Sequence, residues 1–196
     1  MHTLQLSVVL PFSDINDSLN INMQSLFQLT SLGLLLPVIV SSITVSQIKY
    51  PVIEEGPSFA QFTYPDYALD APRVANVNST AFDWWYFDMI SDDVANGDLS
   101  SVVAVFHDGT SGGFQTLAES SNKLPMTLGG TFSNGTIFRT YTFNSQAIVA
   151  ADETRSQGSW GSVGSWTGDL HSGVWEASFD LEAQGVRGTF RLESVC

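Results

Sequence analysis

At 196 residues the chain accommodates one domain of ordinary size and leaves no room for a second full one. Its 20 acidic residues against 7 basic ones give a formal charge of -13, with no cluster of Lys or Arg, which argues against nucleic acid and anionic membrane as partners. Hydrophobic residues make up 43% of the chain, enough to bury a core, and the single Cys196 excludes an internal disulfide framework and a cysteine-based metal site.

The N-terminal quarter reads as a leader. From Leu32 to Val40 the chain is uninterruptedly apolar, which is too short for the roughly 20 residues of a membrane span but has the length of a signal-peptide core. Ser42 or Ser46 then offers a cleavage point; a buried strand or helix of the same length is the alternative. No Lys or Arg precedes Lys49, whereas such leaders open with positive charge. A start at Met23 removes the conflict, so residues 1–22 are expected to be a mispredicted extension and residues 23–46 the leader. The sequons at Asn78 and Asn134 fit a glycoprotein of the secretory pathway or a secreted one.

Residues 47–75 are rich in Pro and aromatic residues without helical periodicity, and predict an extended arm with one short strand from Phe59 to Tyr64. Residues 76–196 form the β-rich domain. Short β-branched and aromatic runs recur between Gly, Asn, Asp and Ser clusters at Phe82 to Ile90, Ser101 to His107, Thr136 to Phe143, Gln146 to Ala150, Val174 to Leu181 and Val186 to Leu192. This texture predicts an all-β fold, an antiparallel β-sandwich or a lipocalin-like barrel. The last two runs alternate apolar and polar residues around the turn Ala183-Gln184-Gly185 and predict a hairpin. Between Gly158 and Gly168 the glycines predict a bulged or loop-like stretch whose Trp160 and Trp166 cover the core, with a binding loop as the alternative.

The run Phe82-Asp-Trp-Trp-Tyr-Phe-Asp88 places Phe82, Trp84, Tyr86 and Asp88 on one strand face and Asp83, Trp85 and Phe87 on the other. With both faces aromatic, the strand is expected to be covered on both sides, where its carboxylates must be hydrogen-bonded, paired or protonated. This run, with Asn78-Ser-Thr80 before it, Val102-Val-Ala-Val-Phe-His107 after it and the closing Gly188-Thr-Phe-Arg-Leu-Glu-Ser194, resembles the N-terminal domain of the fungal Diels–Alderases, decalin-forming and hetero-Diels–Alder pericyclases of carotenoid hydratase-like, lipocalin-like fold. The resemblance runs from about Tyr64 to Val195. It implies the first of two β-rich domains, a mostly apolar pocket near their junction, no cofactor, and a missing second domain or partner chain beyond Cys196.

The resemblance implies a cyclase-type isomerase of secondary metabolite biosynthesis that closes a polyene or quinone methide by a [4+2] or hetero-[4+2] cycloaddition. Such a reaction asks mainly for a held conformer and a hydrogen-bond donor on the substrate carbonyl. The candidate catalytic residues are accordingly Asp83, Tyr86 and Asp88, and the candidate substrate-binding residues Trp84, Trp85 and Phe87. Each has a structural alternative, since aromatic strands are usually core and buried Asp often ties down loops. A non-catalytic β-domain that binds an apolar small molecule, or an inactive remnant, stands beside the enzyme reading. His107 and His171 lack metal-ligand spacing, so no metal site is expected, and His107-Asp108 reads as a turn cap.

Overall fold

The computed structural model describes residues 7–9, 44–60, 68, 70–91, 97–98, 100–115, 117 and 124–193. In chain order the strands are β1 (Ser7–Val9), β2 (Val45–Lys49), β3 (Phe59–Ala60), β4 (Val74–Ala75), β5 (Phe82–Ile90), β6 (Ser101–Gly109) and β7 (Pro125–Thr131). They continue as β8 (Ile137–Phe143), β9 (Ala147–Ala151), β10 (Arg155–Trp160), β11 (Gly164–Asp169), β12 (Val174–Leu181) and β13 (Val186–Glu193). A seven-stranded sheet runs β1-β13-β12-β11-β10-β9-β2, a four-stranded sheet runs β5-β6-β7-β8, and β3 pairs with β4. All these pairings are antiparallel.

The two larger sheets pack face to face as a sandwich, and no closed barrel forms among the described residues. Strand alternation explains the core. On β5 Asp83, Trp85, Phe87 and Met89 point inward, joined by Ala104 and Phe106 from β6 and Met126 and Leu128 from β7. The opposing sheet contributes Trp160, Trp166, Phe179 and Phe190 among others. Trp85 stacks on Trp166 with ring centroids 5.1 Å apart, and Phe106 meets both Trp160 and Trp166. Burying each such side chain contributes about 1.5–3 kcal/mol, so this aromatic layer dominates the cohesion of the sandwich.

Several expectations are corrected by the architecture. β5 lies at an edge of its sheet, with one face buried and the other open, and is not a strand covered on both sides. The stretch from Gly158 to Gly168 is a regular hairpin, β10 to β11, and its tryptophans do enter the core. Its glycines are there because rings lie over them: a Cβ on Gly158 would collide with the Trp166 ring, and one on Gly164 would meet Phe106 and the Met126 sulfur at 2.7 Å. The predicted final hairpin forms as expected, with Gly185 at φ 67° closing the turn after residues 182–184. β2 straddles the boundary expected between leader and arm and pairs with β9. Residues 10–43, which hold most of the expected leader, lie outside the described residues, as does the stretch 61–67 that ends the expected strand from Phe59.

Beneath the open edge of the sandwich a buried ion pair replaces the turn cap expected at Asp108. Lys49 Nζ of β2 lies 2.6 Å from Asp108 Oδ2 of β6, with side chains 8% and 1% exposed. Two charges so far from water persist only as a pair. The bond ties the edge of the seven-stranded sheet to the four-stranded one.

Candidate functional site

The outward face of the four-stranded sheet is unusually apolar. β5 presents Trp84, Tyr86 and Ile90, and β8 presents Ile137, Tyr141 and Phe143, all substantially exposed. Between them β6 offers Val103, Val105 and His107, and β7 offers Thr127 and Gly129. The register sets this cluster: Trp84 stands opposite His107, Val105 opposite Thr127, and Gly129 opposite Arg139. A cavity of about 360 Å³ opens here, walled by Trp84, Val105, Phe114 and Phe138, with His107 and Arg139 as its principal polar groups. Gly129 keeps the floor open, since a Cβ there would meet nothing closer than 3.5 Å and would project into the free space.

Trp84, His107 and Phe114 form a triangle of rings, with Phe114 5.1 Å from Trp84 and 5.4 Å from His107. Tyr86 flanks it, 5.9 Å from Trp84. His107 is 1% exposed, and its Nε2 lies 3.1 Å from Thr127 Oγ1. Burial pushes the imidazole down to about 4, with the Arg139 charge adding to the effect, so the ring is neutral near pH 7. Burial, and then the Asp88 carboxylate, raise the Tyr86 phenol, which stays protonated and able to donate.

The predicted site residues divide between the two faces of β5. Trp84 lines the cavity, and Tyr86 and Asp88 share its face. Trp85 and Phe87 are in the sandwich core, where Trp85 also donates from Nε1 to the Asp70 carbonyl at 2.8 Å. Asp83 faces inward as well. Its Oδ2 accepts from the Arg73 and Val74 amides at 2.7 and 3.2 Å, and its Oδ1 from the Trp84 amide at 3.0 Å. Burial raises its carboxyl, opposed by those amides and by Lys49. Asp83 thus pins β4 to β5, and the cavity does not bring it together with Tyr86. Of the sequons, Asn134 sits exposed at the β7–β8 turn, whereas Asn78 donates from Nδ2 to the Gly56 carbonyl and accepts from Thr80. Among the described residues no group of His, Cys, Asp and Glu is arranged to hold a metal ion.

Sequence reasoning missed His107, Phe114, Thr127 and Arg139. The alternation of Ile137, Arg139, Tyr141 and Phe143, one cation among apolar side chains on one face, was the available signal for part of the set.

The Diels-Alderase-like family profile matches residues 40–196. The quinolone epoxide rearrangement protein penF of Penicillium thymicola is 33% identical over 135 residues, covering 65% of this chain and 36% of that protein. The quinolone epoxide rearrangement protein asqO of Emericella nidulans is 28% identical over 152 residues, covering 76% of this chain and 40% of that protein. The chain therefore spans about two fifths of the length of these curated relatives.

Proposed function

Since the chain belongs to the Diels-Alderase-like family, we propose that the outer face of its four-stranded sheet binds an apolar, ring-containing intermediate of fungal secondary metabolism and promotes its cofactor-independent isomerisation. The observation that carries this reading is an aromatic cavity with a neutral imidazole and a guanidinium and little other polarity. Both a [4+2] closure and the rearrangement named for the relatives conserve every atom of the substrate. Each gains from a fixed conformer, held here by Trp84 and Phe114. Each also gains from a hydrogen bond to an oxygen that becomes more negative in the transition state.

Arg139 is the donor best suited to that oxygen, because it carries its charge at every relevant pH and gives hydrogen bonds without giving up a proton. His107 is too weakly basic to act as an imidazolium acid near neutrality and so orients the substrate. Tyr86, exposed beside Trp84 on the same face, is a second donor. The [4+2] cycloaddition of a polyene or quinone methide is the reaction the sequence motif suggests; the relatives' names favour a quinolone epoxide as substrate.

The test is to incubate the full chain with a quinolone epoxide and, separately, with a polyene carrying a dienophile carbonyl. A rate or product ratio that departs from buffer for either substrate, and returns toward buffer in Arg139→Gln, supports the reading. Binding of both with neither converted faster than in buffer replaces it with a small-molecule binding domain.

A further inference from the structure

Sheet edges are where a β fold meets other chains, because an edge strand turns one row of N–H and C=O groups away from its own sheet. Among the described residues β5 and β8 are the two edges of the four-stranded sheet. The β5 edge carries the carboxylates of Asp83 and Asp88, and near its start Asp83 holds the Arg73 and Val74 amides. β8 has no Pro, no bulge against β7 and no carboxylate, and its one charge is Arg139. Natural edges are usually guarded by one of those devices. The ladder also shows which way the β8 backbone points. Asn144 N donates to the Leu124 carbonyl at one end of the β7–β8 pairing, and Phe132 N to the Thr136 carbonyl at the other. Hydrogen-bonded pairs alternate along an antiparallel ladder, so the even-numbered residues of β8 bond to β7 and the odd-numbered ones aim their N–H and C=O groups outward. Pro125, which has no N–H to give, stands opposite the odd-numbered Phe143 in agreement with this phase.

Charge and symmetry select the occupant. In a chain of formal charge -13, Arg139 is the only charged residue between Leu124 and Ala151. A second copy that approaches through the same edge brings no carboxylate against another, so this edge escapes the repulsion that the net charge imposes on two copies. We infer that β8 pairs antiparallel with β8 of a second copy about a twofold axis at Thr140, joining two four-stranded sheets into one continuous sheet. Ile137 then stands opposite Phe143 of the partner subunit, and Arg139 opposite Tyr141 of the partner subunit. Both pairs lie on the outer face, and all four positions are odd-numbered, so the outward backbone groups of the two strands meet one another. Moving the axis one residue, to Arg139, sets two guanidiniums opposite each other, which is unfavourable and leaves Thr140 as the centre.

Sedimentation equilibrium of the full chain, from micromolar to millimolar protein, tests this with two variants at one position, Tyr141→Lys and Tyr141→Glu. Tyr141 is exposed, so neither change disturbs the core, and circular dichroism checks that each variant is folded. The register sets position 141 against Arg139 twice in each dimer. The dissociation constant of the Lys variant is therefore expected to exceed that of the Glu variant about tenfold, with the unaltered chain between them. Association governed by net charge alone gives the reverse order, because Lys makes the chain less negative and Glu more so. That reverse order, equal association of all three proteins, or an unaltered chain that stays monomeric throughout overturns the inference.

Discussion

The outer face of β10 to β13 and the outer face of the four-stranded sheet are built on the same strand alternation and end in opposite chemistry. On the seven-stranded sheet the register aligns Ser159, Ser165, Ser178 and Thr189 into one rung across β10 to β13, with Ser178 and Thr189 hydroxyls 3.0 Å apart. Around it Arg155 pairs with Asp169 and Arg191 with Glu176. Over β10 to β13 that face is polar, and the same rung continues into Ile148 of β9 and Ile48 of β2, which are 42% and 55% exposed. On the four-stranded sheet the equivalent positions hold Trp84, Tyr86, Ile137 and Tyr141, which remain 43%, 49%, 79% and 47% exposed. Exposed apolar faces of this extent mark sites that receive something else. Under the proposed function, folding is served by the inward residues of both sheets, while the outward residues of β5 to β8 serve recognition.

Four experiments break or sharpen that contrast. The largest effect is expected between the sheets: Lys49→Met removes the ammonium paired with Asp108 inside the protein and should cost about 3–5 kcal/mol in chemical denaturation. A loss below about 1 kcal/mol would mean that the ion pair does not join the two layers.

Next comes acidity. The folded state holds His107 near 4, against an ordinary 6.5, and so prefers it neutral. This contribution is fully present above pH 6.5 and is lost as pH falls to about 4, by roughly 3 kcal/mol in all. Carboxylates titrate in the same window, so the measurement is the difference between the stability curves of the unaltered protein and His107→Phe. Parallel curves would show that His107 is not buried as described.

A smaller effect is expected from Trp84→Ala. Because the ring is half exposed, stability should fall by about 1 kcal/mol or less, while affinity for an aromatic ligand should fall about tenfold. A loss of stability that matches a core deletion would erase the contrast between the two faces of β5. Smallest is Ser178→Ala, which removes one half-buried hydroxyl pair and should change stability by less than about 1 kcal/mol with isomerisation and binding unaffected. An effect of Ser178→Ala on binding would transfer the functional face to the other sheet.

The fold was legible where alternation and β-branched or aromatic residues coincide. β5, β12 and the β12–β13 hairpin stand where the residues predict them. β7, β10 and β11 were not legible as strands because they carry glycines at close approaches: Gly158 and Gly168 lie under the rings of Trp166 and Trp175 on neighbouring strands, Gly164 under Phe106 of the opposing sheet, and Gly130 against the Ser101 carbonyl, an arrangement that local propensity cannot reveal. The site was half legible. The motif Phe82 to Asp88 led to the right strand, but periodicity alone could not say whether Trp84 or Trp85 faced the core. His107 became visible only through its pairing opposite Trp84, a long-range register that no local pattern encodes.

The central claim is that the open face of the four-stranded sheet is the ligand surface, and amide and side-chain NMR of the full chain during titration with 2-quinolone tests it most directly. The account predicts shifts concentrated at Trp84, His107, Phe114, Thr127 and Arg139, with the Ser159 to Thr189 rung unmoved. Shifts concentrated on the seven-stranded sheet, with Trp84 and His107 silent, would contradict it.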